Sequence, residues 1–298
     1  MQLFLQLLFA GLALGSIYAL IALGFVVIYR SSQVFNFAHG EILMLGTFIM
    51  ITLLAVGVPW LAALPVSMVV TGLVGVVIER GVLRPLVGRP VFVTIILTIF
   101  VGLVVRILVT AIWGVRARGM PSPWENTGTT RILGAVVTYN ALGAMAVTAI
   151  VLVGFWWLFQ RSKIGVGMRA TATDQEVALG LGIPVGRVFM ISWFIAGALA
   201  ALAGIFLGMY PRLVDVNIGF IALRAFPAVL IGGLESPLGA VIGGLSLGVL
   251  ELLAQGYINP NLGAFGQNFH TVFPYVIMIA FLMVRPYGLF GQREVERV

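Results

Sequence analysis

The sequence predicts an all-α fold: a polytopic helical membrane protein with about eight transmembrane segments, broken or re-entrant elements and a short cytoplasmic coupling helix. Three observations carry this. Of the 298 residues, 61% are hydrophobic and 9% are charged, too few charges to cover a soluble core, so lipid is the solvent for most of the surface. The apolar runs are continuous and roughly twenty residues long, the length a helix needs to cross a bilayer, unlike the alternating ten-residue segments of a β-barrel. Glycine accounts for 37 residues, and small residues let membrane helices approach closely.

Taken in order, the apolar segments run at 3–29, 40–57, 60–79, 91–113, 135–159, 189–210, 225–253 and 271–285. The first lacks the basic flank and cleavage site of a removable signal, and is expected to stay as a spanning helix. Pro59 and Pro65 separate the second from the third, and PLVGRP at 85–90 ends the third. Arg80, Arg84 and Arg89 cluster there, in a loop that the positive-inside rule places in the cytoplasm. Counting onward puts 114–134 outside, 160–188 inside and 211–224 outside. The 160–188 loop carries Arg161, Lys163, Arg169 and Arg187, so two basic loops agree; Arg116, Arg118 and Arg131 make 114–134 less clean. The tail with Arg285, Arg293 and Arg297 is expected inside, and 254–270, without a basic residue, outside.

On that count 225–253 starts and finishes on one side. Its centre, IGGLESPLGA (231–240), reads as the break in a hairpin of two short helices, tolerated at membrane depth only when buried in protein or lining water. RSSQVFNFAHGE (30–41) is a similar interruption between the first two segments. The glycine-rich runs at 11–24 and 195–204 precede the two interruptions in turn. This hints at an inverted repeat, roughly 1–134 and 135–298, within one transmembrane domain of residues 1–298.

The net charge of +7 does not point to nucleic acid, because the basic residues sit at the ends of apolar runs and not in a patch with interleaved aromatics. The absence of cysteine excludes disulfides, thiolate metal sites and cysteine nucleophiles. There is no Walker sequence, HExxH or GxSxG, and the two histidines stand far apart. No metal, cofactor or catalytic residue is expected on this chain; a transporter of this kind that uses ATP needs the ATPase on another chain.

Ionisable groups inside a membrane are costly and need a reason. Asn36, His39 and Glu41, at the start of the second segment, read either as a polar translocation lining or as a cap in which Asn36 closes the helix and Glu41 favours its positive end. With Gly232, Gly233 and Glu235 of the second interruption they are the candidate pathway residues. Glu251 and Arg106 are candidate partners inside the bundle. The longest polar passage, Arg161 to Arg187, is the candidate docking surface for a soluble motor. In it, Thr173 or Asp174 can cap a short helix through Glu176 to Leu181 that Gly180 and Gly182 end ahead of Pro184.

VFNFAHGEILMLGTF (34–48), KIGVGMRATATDQEVALGLGI (163–183) and RPYGLFG (285–291), in that order along nearly the whole chain, resemble the LivH-type permease subunits of branched-chain amino acid ABC importers. The resemblance implies a bacterial or archaeal inner-membrane importer. It pairs this chain with a LivM-like permease, two cytoplasmic ATPases that hydrolyse the ATP, and a periplasmic or lipid-tethered binding protein. Coupling is then expected at Lys163, Arg169, Ala170, Thr171, Asp174, Glu176, Ala178 and Gly182. Glu176, Ala178 and Gly182 approximate the EAA-xxx-G spacing of ABC permeases, with Val177 in place of the middle alanine and no downstream Leu-Pro. Related scaffolds carry urea, short amides or other neutral amino acids. The competing class is an ion-coupled secondary transporter that uses Glu41 or Glu251 as its ion site.

Overall fold

A computed structural model describes residues 2–86, 89–125, 127–209 and 212–291. Arg293 and Arg297, expected on the inner side, lie outside the described residues. Among those described, seven helices are long and apolar enough to cross a membrane, and two apolar helices, at 39–55 and 218–232, are shorter.

The chain begins with α1 (Gln2–Ser32), breaks at 33–38, and resumes as the short α2 (His39–Ala55). Then come α3 (Trp60–Ile78), continued by a π turn and a 3-10 turn to Leu86, and α4 (Val91–Trp113). Pro59 and Pro90 precede the first turns of α3 and α4, where a missing N–H leaves no helical bond unmade. A hairpin of β1 (Thr129–Ile132) and β2 (Ala135–Thr138), which the hydropathy pattern does not reveal, leads into α5 (Tyr139–Arg161). Next are α6 (Lys163–Thr173), α7 (Gln175–Gly180) and α8 (Val185–Gly208). After 209–217 follow a 3-10 turn at Ile218–Phe220, α9 (Ile221–Arg224), α10 (Phe226–Gly232), α11 (Pro237–Leu253) and α12 (Phe269–Val284).

The core is the pair α1 and α8. In their most apolar stretches 89% and 72% of residues are buried, against 6% for the peripheral α12. Lipid tails offer no hydrophobic drive for one helix to leave them for another, so close backbone packing must hold such a core together. Glycines permit it. On α1, a methyl group at Gly15 would lie 2.7 Å from the Leu245 carbonyl oxygen of α11, and one at Gly11 2.7 Å from Val249 Cα. Gly244 and Gly248 return the contact from α11 against Ala19 and Gly15. On the other side Gly72 and Gly75 of α3 and Gly197 of α8 do the same for the α3–α8 seam. Both seams run antiparallel.

Three arginines define one end of the bundle. Arg30, at the close of α1, donates to the Glu235 carbonyl at 3.0 Å and lies 4.9 Å over the Phe159 ring of α5. Arg84 ties the end of α3 to the Gly186 carbonyl of α8, and Arg169 of α6 donates to the Phe159 carbonyl. The two basic loops therefore share an end, with α6 and α7 spread across it. At the opposite end Trp113 Nε1 donates to Thr52 at 2.6 Å, and Arg118 pairs with Val214 as an isolated bridge.

The hairpin expected over 225–253 is present but asymmetric. Its descending limb is short (218–232), whereas α11 is part of a full-length span, Pro237–Gly263. Its turn, 233–236, sits at the basic end beside Arg30. Val214, ahead of the Ile218 turn, is at the opposite end on the Arg118 bridge, so this limb enters the interior as a short helix that starts at Ile218. Gly232 is not a break but a contact point against Gly239, and Gly233 takes φ +101 in the turn, a conformation open to glycine. RPYGLFG closes this turn: the Leu289 and Phe290 amides donate to the Ile231 and Gly232 carbonyls at 2.8 and 3.2 Å.

Replacing Gly248 with Leu is expected to lower stability by about 1–3 kcal/mol through overpacking. The check is thermal unfolding in detergent against Gly154→Leu, a position with open space beside it, which should melt like the wild type.

Candidate functional site

The first candidate region is the junction where α2 begins. The ring of His39 lies against Gly24 of α1, eight residues before the end of that helix, so α2 starts about 12 Å inside the basic end at 1.5 Å per residue. The chain reaches that depth through 33–38, whose backbone is held by side chains. Phe37 N donates to Thr98 Oγ1 of α4 at 3.2 Å, and Ala38 N to Asn36 Oδ1 at 3.0 Å. The Gly40 backbone at the start of α2 meets Gly219 of the 3-10 turn that opens the second short limb, with room for no side chain between them. The two short interior limbs therefore touch at their starts.

Around this contact the polar groups are only partly used. Glu41 Oε1 accepts from Arg106 Nη2 at 2.6 Å and Nε at 3.1 Å, while Glu41 Oε2 is buried without a partner. Arg106 lies 4.2 Å over the Phe220 ring. Asn36 Nδ2 is unpartnered, and neither ring nitrogen of the fully buried His39 reaches a partner at hydrogen-bond geometry, the Ile21 backbone being the polar group that faces it. Toward the basic end Phe226 packs among Phe25, Phe35 and Phe37, with ring centroids 5.9, 6.2 and 6.3 Å away. An aromatic cluster thus lies beside a junction that keeps buried, unpartnered polar atoms.

Of the expected pathway residues, the structure gathers Asn36, His39 and Glu41 at this junction. Gly232, Gly233 and the exposed Glu235 lie in the turn at the basic end. The interior partners are also defined: Arg106 pairs with Glu41, and the buried Glu251 accepts from Tyr18 Oη at 2.7 Å across the α1–α11 seam. Tyr18 was not singled out from sequence, because 233 residues separate it from its partner. Phe220 and Thr98 were missed for the same reason.

The second region is the α6–α7 surface. Ser162 caps α6 through the Gly165 amide at 3.0 Å. Asp174 is extended between the helices and caps α7, accepting from Glu176 N and Val177 N at 2.8 and 2.9 Å. Gly182 takes φ +79 and turns the chain into α8. Ala178 is buried against Val185 and Phe189, with Ala170 half-buried beside them, and Thr171 faces inward with its hydroxyl on the Gly167 carbonyl at 2.9 Å. Arg169 is committed to Phe159. Lys163 and Glu176 are exposed. The outer face is apolar: Val177, Leu179 and Leu181 are 58%, 59% and 74% exposed. An apolar face beyond the basic end of a membrane bundle calls for a covering partner.

The fold is that of a polytopic helical membrane protein, with two short interior limbs in contact and the α6–α7 pair lying across one end. The chain belongs to the family of branched-chain amino acid transport system permease components, whose model matches residues 7–282. It is 35% identical to the high-affinity branched-chain amino acid transport permease BraD of Pseudomonas aeruginosa, over 99% of this chain and 98% of that one. To LivH of Escherichia coli K12 it is 32% identical over the same shares. A probable LivH permease of Methanocaldococcus jannaschii matches at 28% over 93% and 89%. Among solved structures, PsaBC from Streptococcus pneumoniae in complex with Fab shares the fold with a TM-score of 0.53 and 12% identity, over 95% of this chain and 91% of that one.

If the Glu41–Arg106 pair supports the junction, a double-mutant cycle with Glu41→Gln and Arg106→Gln is expected to show a coupling of about 0.5–3 kcal/mol. Thermal unfolding of the four purified proteins reads it, and additive losses would assign the two residues no mutual role.

Proposed function

We propose that this chain is one permease half of an ATP-driven importer that carries branched-chain or related aliphatic amino acids across the inner membrane. A LivM-like permease completes the pathway, two cytoplasmic ATPases hydrolyse the ATP, and a binding protein delivers the substrate; the chain itself binds no cofactor. The observation that carries this reading is the family match, joined to an apolar α7 at the end of the bundle. The basic end is cytoplasmic by the positive-inside rule. Asp174 and Gly182 shape α7, buried Ala178 anchors it on α8, and Lys163, Glu176 and the exposed Val177, Leu179 and Leu181 meet the ATPase. The matched seams, α1 with α11 and α8 with α3, support the inverted repeat of 1–134 and 135–298.

The pathway runs past the start of α2, where Gly40 meets Gly219. A zwitterion with an aliphatic side chain crosses at little desolvation cost if apolar walls carry a few polar relays, and Asn36, His39 and Glu41 supply them beside the phenylalanine cluster. Gly232, Gly233 and Glu235 support the gate at the cytoplasmic end through Arg30.

Co-purification from native membranes is expected to bring the ATPase chains along, and the complex to hydrolyse ATP faster with loaded binding protein. A lone homodimer would sink this reading. Because the chain has no cysteine, cysteines placed at Val177 or Leu181 should crosslink to the ATPase and to nothing on the periplasmic side. Gly182→Val forces a β-branched residue into left-handed backbone, at about 1–3 kcal/mol, and is expected to uncouple ATP hydrolysis from uptake in a protein that still inserts. Asn36→Ala and Glu235→Ala are expected to slow uptake in folded variants; unchanged rates and substrate preference would leave these residues structural.

A further inference from the structure

A cavity of about 200 Å³ opens at the basic end, where the close of α1, the end of α3 and the starts of α4 and α8 meet α7. That is room for roughly seven waters at about 30 Å³ each, enough for one small amino acid and too little for a peptide. Glu79 lines it and is only 1% exposed, yet one of its carboxylate oxygens is idle: Oε1 accepts from Arg84 Nε at 3.2 Å, and Oε2 has no partner. A buried acceptor left unmade is costly, and more so when it is charged. Arg84 is spent on Glu79 and on the Gly186 carbonyl. Arg89, at the rim, forms no ion pair among the described residues. The cavity is thus bordered by a carboxylate with one buried, unpartnered oxygen and by a guanidinium without an ion pair among the described residues, with Trp193 also in its lining.

We propose that this cavity is a second amino-acid site, open to the compartment of release. The ammonium group donates to Glu79 Oε2, the carboxylate meets Arg89, and the aliphatic side chain lies against Trp193. The site rests on the importer reading above and extends it to regulation. Gln33, the first residue of the break that carries Asn36 and His39, lines the cavity on one side; Gln175, the first residue of α7, lines it on another. An occupant therefore braces α7 against α3 and the break. Product that accumulates after release fills the site and slows the cycle.

The test uses the complete transporter in proteoliposomes with ATP inside and loaded binding protein outside. Initial uptake of labelled leucine is compared with and without unlabelled leucine inside. The wild type is expected to slow roughly fivefold, the low end for linked sites, and Glu79→Gln to bring that ratio close to one whatever its basal rate. Arg89→Ala, which leaves the Glu79–Arg84 pair in place, is expected to do the same and carries the test if Glu79→Gln fails to assemble. The proposal is overturned if internal leucine does not slow the wild type, if both variants slow as the wild type does, or if internal sodium chloride alone reproduces the effect. No uptake by the wild type into empty vesicles would instead strike the importer reading, and this site with it.

Discussion

Everything in this bundle depends on backbone meeting backbone. Lipid provides no reason for two oily helices to stay together, so the central pair is held where side chains have been removed: Gly11 and Gly15 against Gly244 and Gly248, and Gly72 and Gly75 against α8. Those seams fix α1 and α8 tightly enough for α1 to be followed by a break inside the bundle, at 33–38. Without them, the non-helical residues at 33–38 would meet lipid, where unmade backbone hydrogen bonds are prohibitive. That break is tolerated because Thr98 and Asn36 hold its backbone amides and the Gly40–Gly219 contact closes over the start of α2.

The same economy explains where the polar chemistry sits. Glu41 with Arg106 and Glu251 with Tyr18 are charged groups carried into the bundle and joined across helices. At the junction Asn36, His39 and Glu41 also keep unpartnered atoms, as Glu79 does beside the cavity. From there 33–34 lead directly to the cavity beside Glu79, whose wall includes the first residue of α7. The residues proposed for the substrate route and the helix proposed to face the ATPase are thus adjacent: α7, seated on the Ala178–Val185–Phe189 cluster, borders the same cavity as 33–34.

Much of this was legible in the sequence because it is local. Span length shows in hydropathy, the α7 cap in Asp174 three residues ahead of Val177, and its end in Gly182. The basic loops identified one end correctly, since Arg84 and Arg169 do bind there. Where the reading went astray, a local signal had two physical meanings. Gly232 and Gly233 mark the expected hairpin break, but its turn at 233–236 lies at the basic end beside Arg30 and not at membrane depth. The β1–β2 hairpin is four residues a side and carries no hydropathy signal. Arg106 with Glu41, 65 residues apart, and Tyr18 with Glu251 are tertiary facts that no window along the chain contains.

The central claim is that transport through this chain is driven by ATP hydrolysed elsewhere. Proteoliposomes holding the purified transporter complex, fed labelled leucine on its binding protein, measure it most directly. The account predicts uptake that requires hydrolysable ATP and persists when every ion gradient is collapsed. Uptake by this chain alone, driven by a proton or sodium gradient and indifferent to ATP, would contradict it.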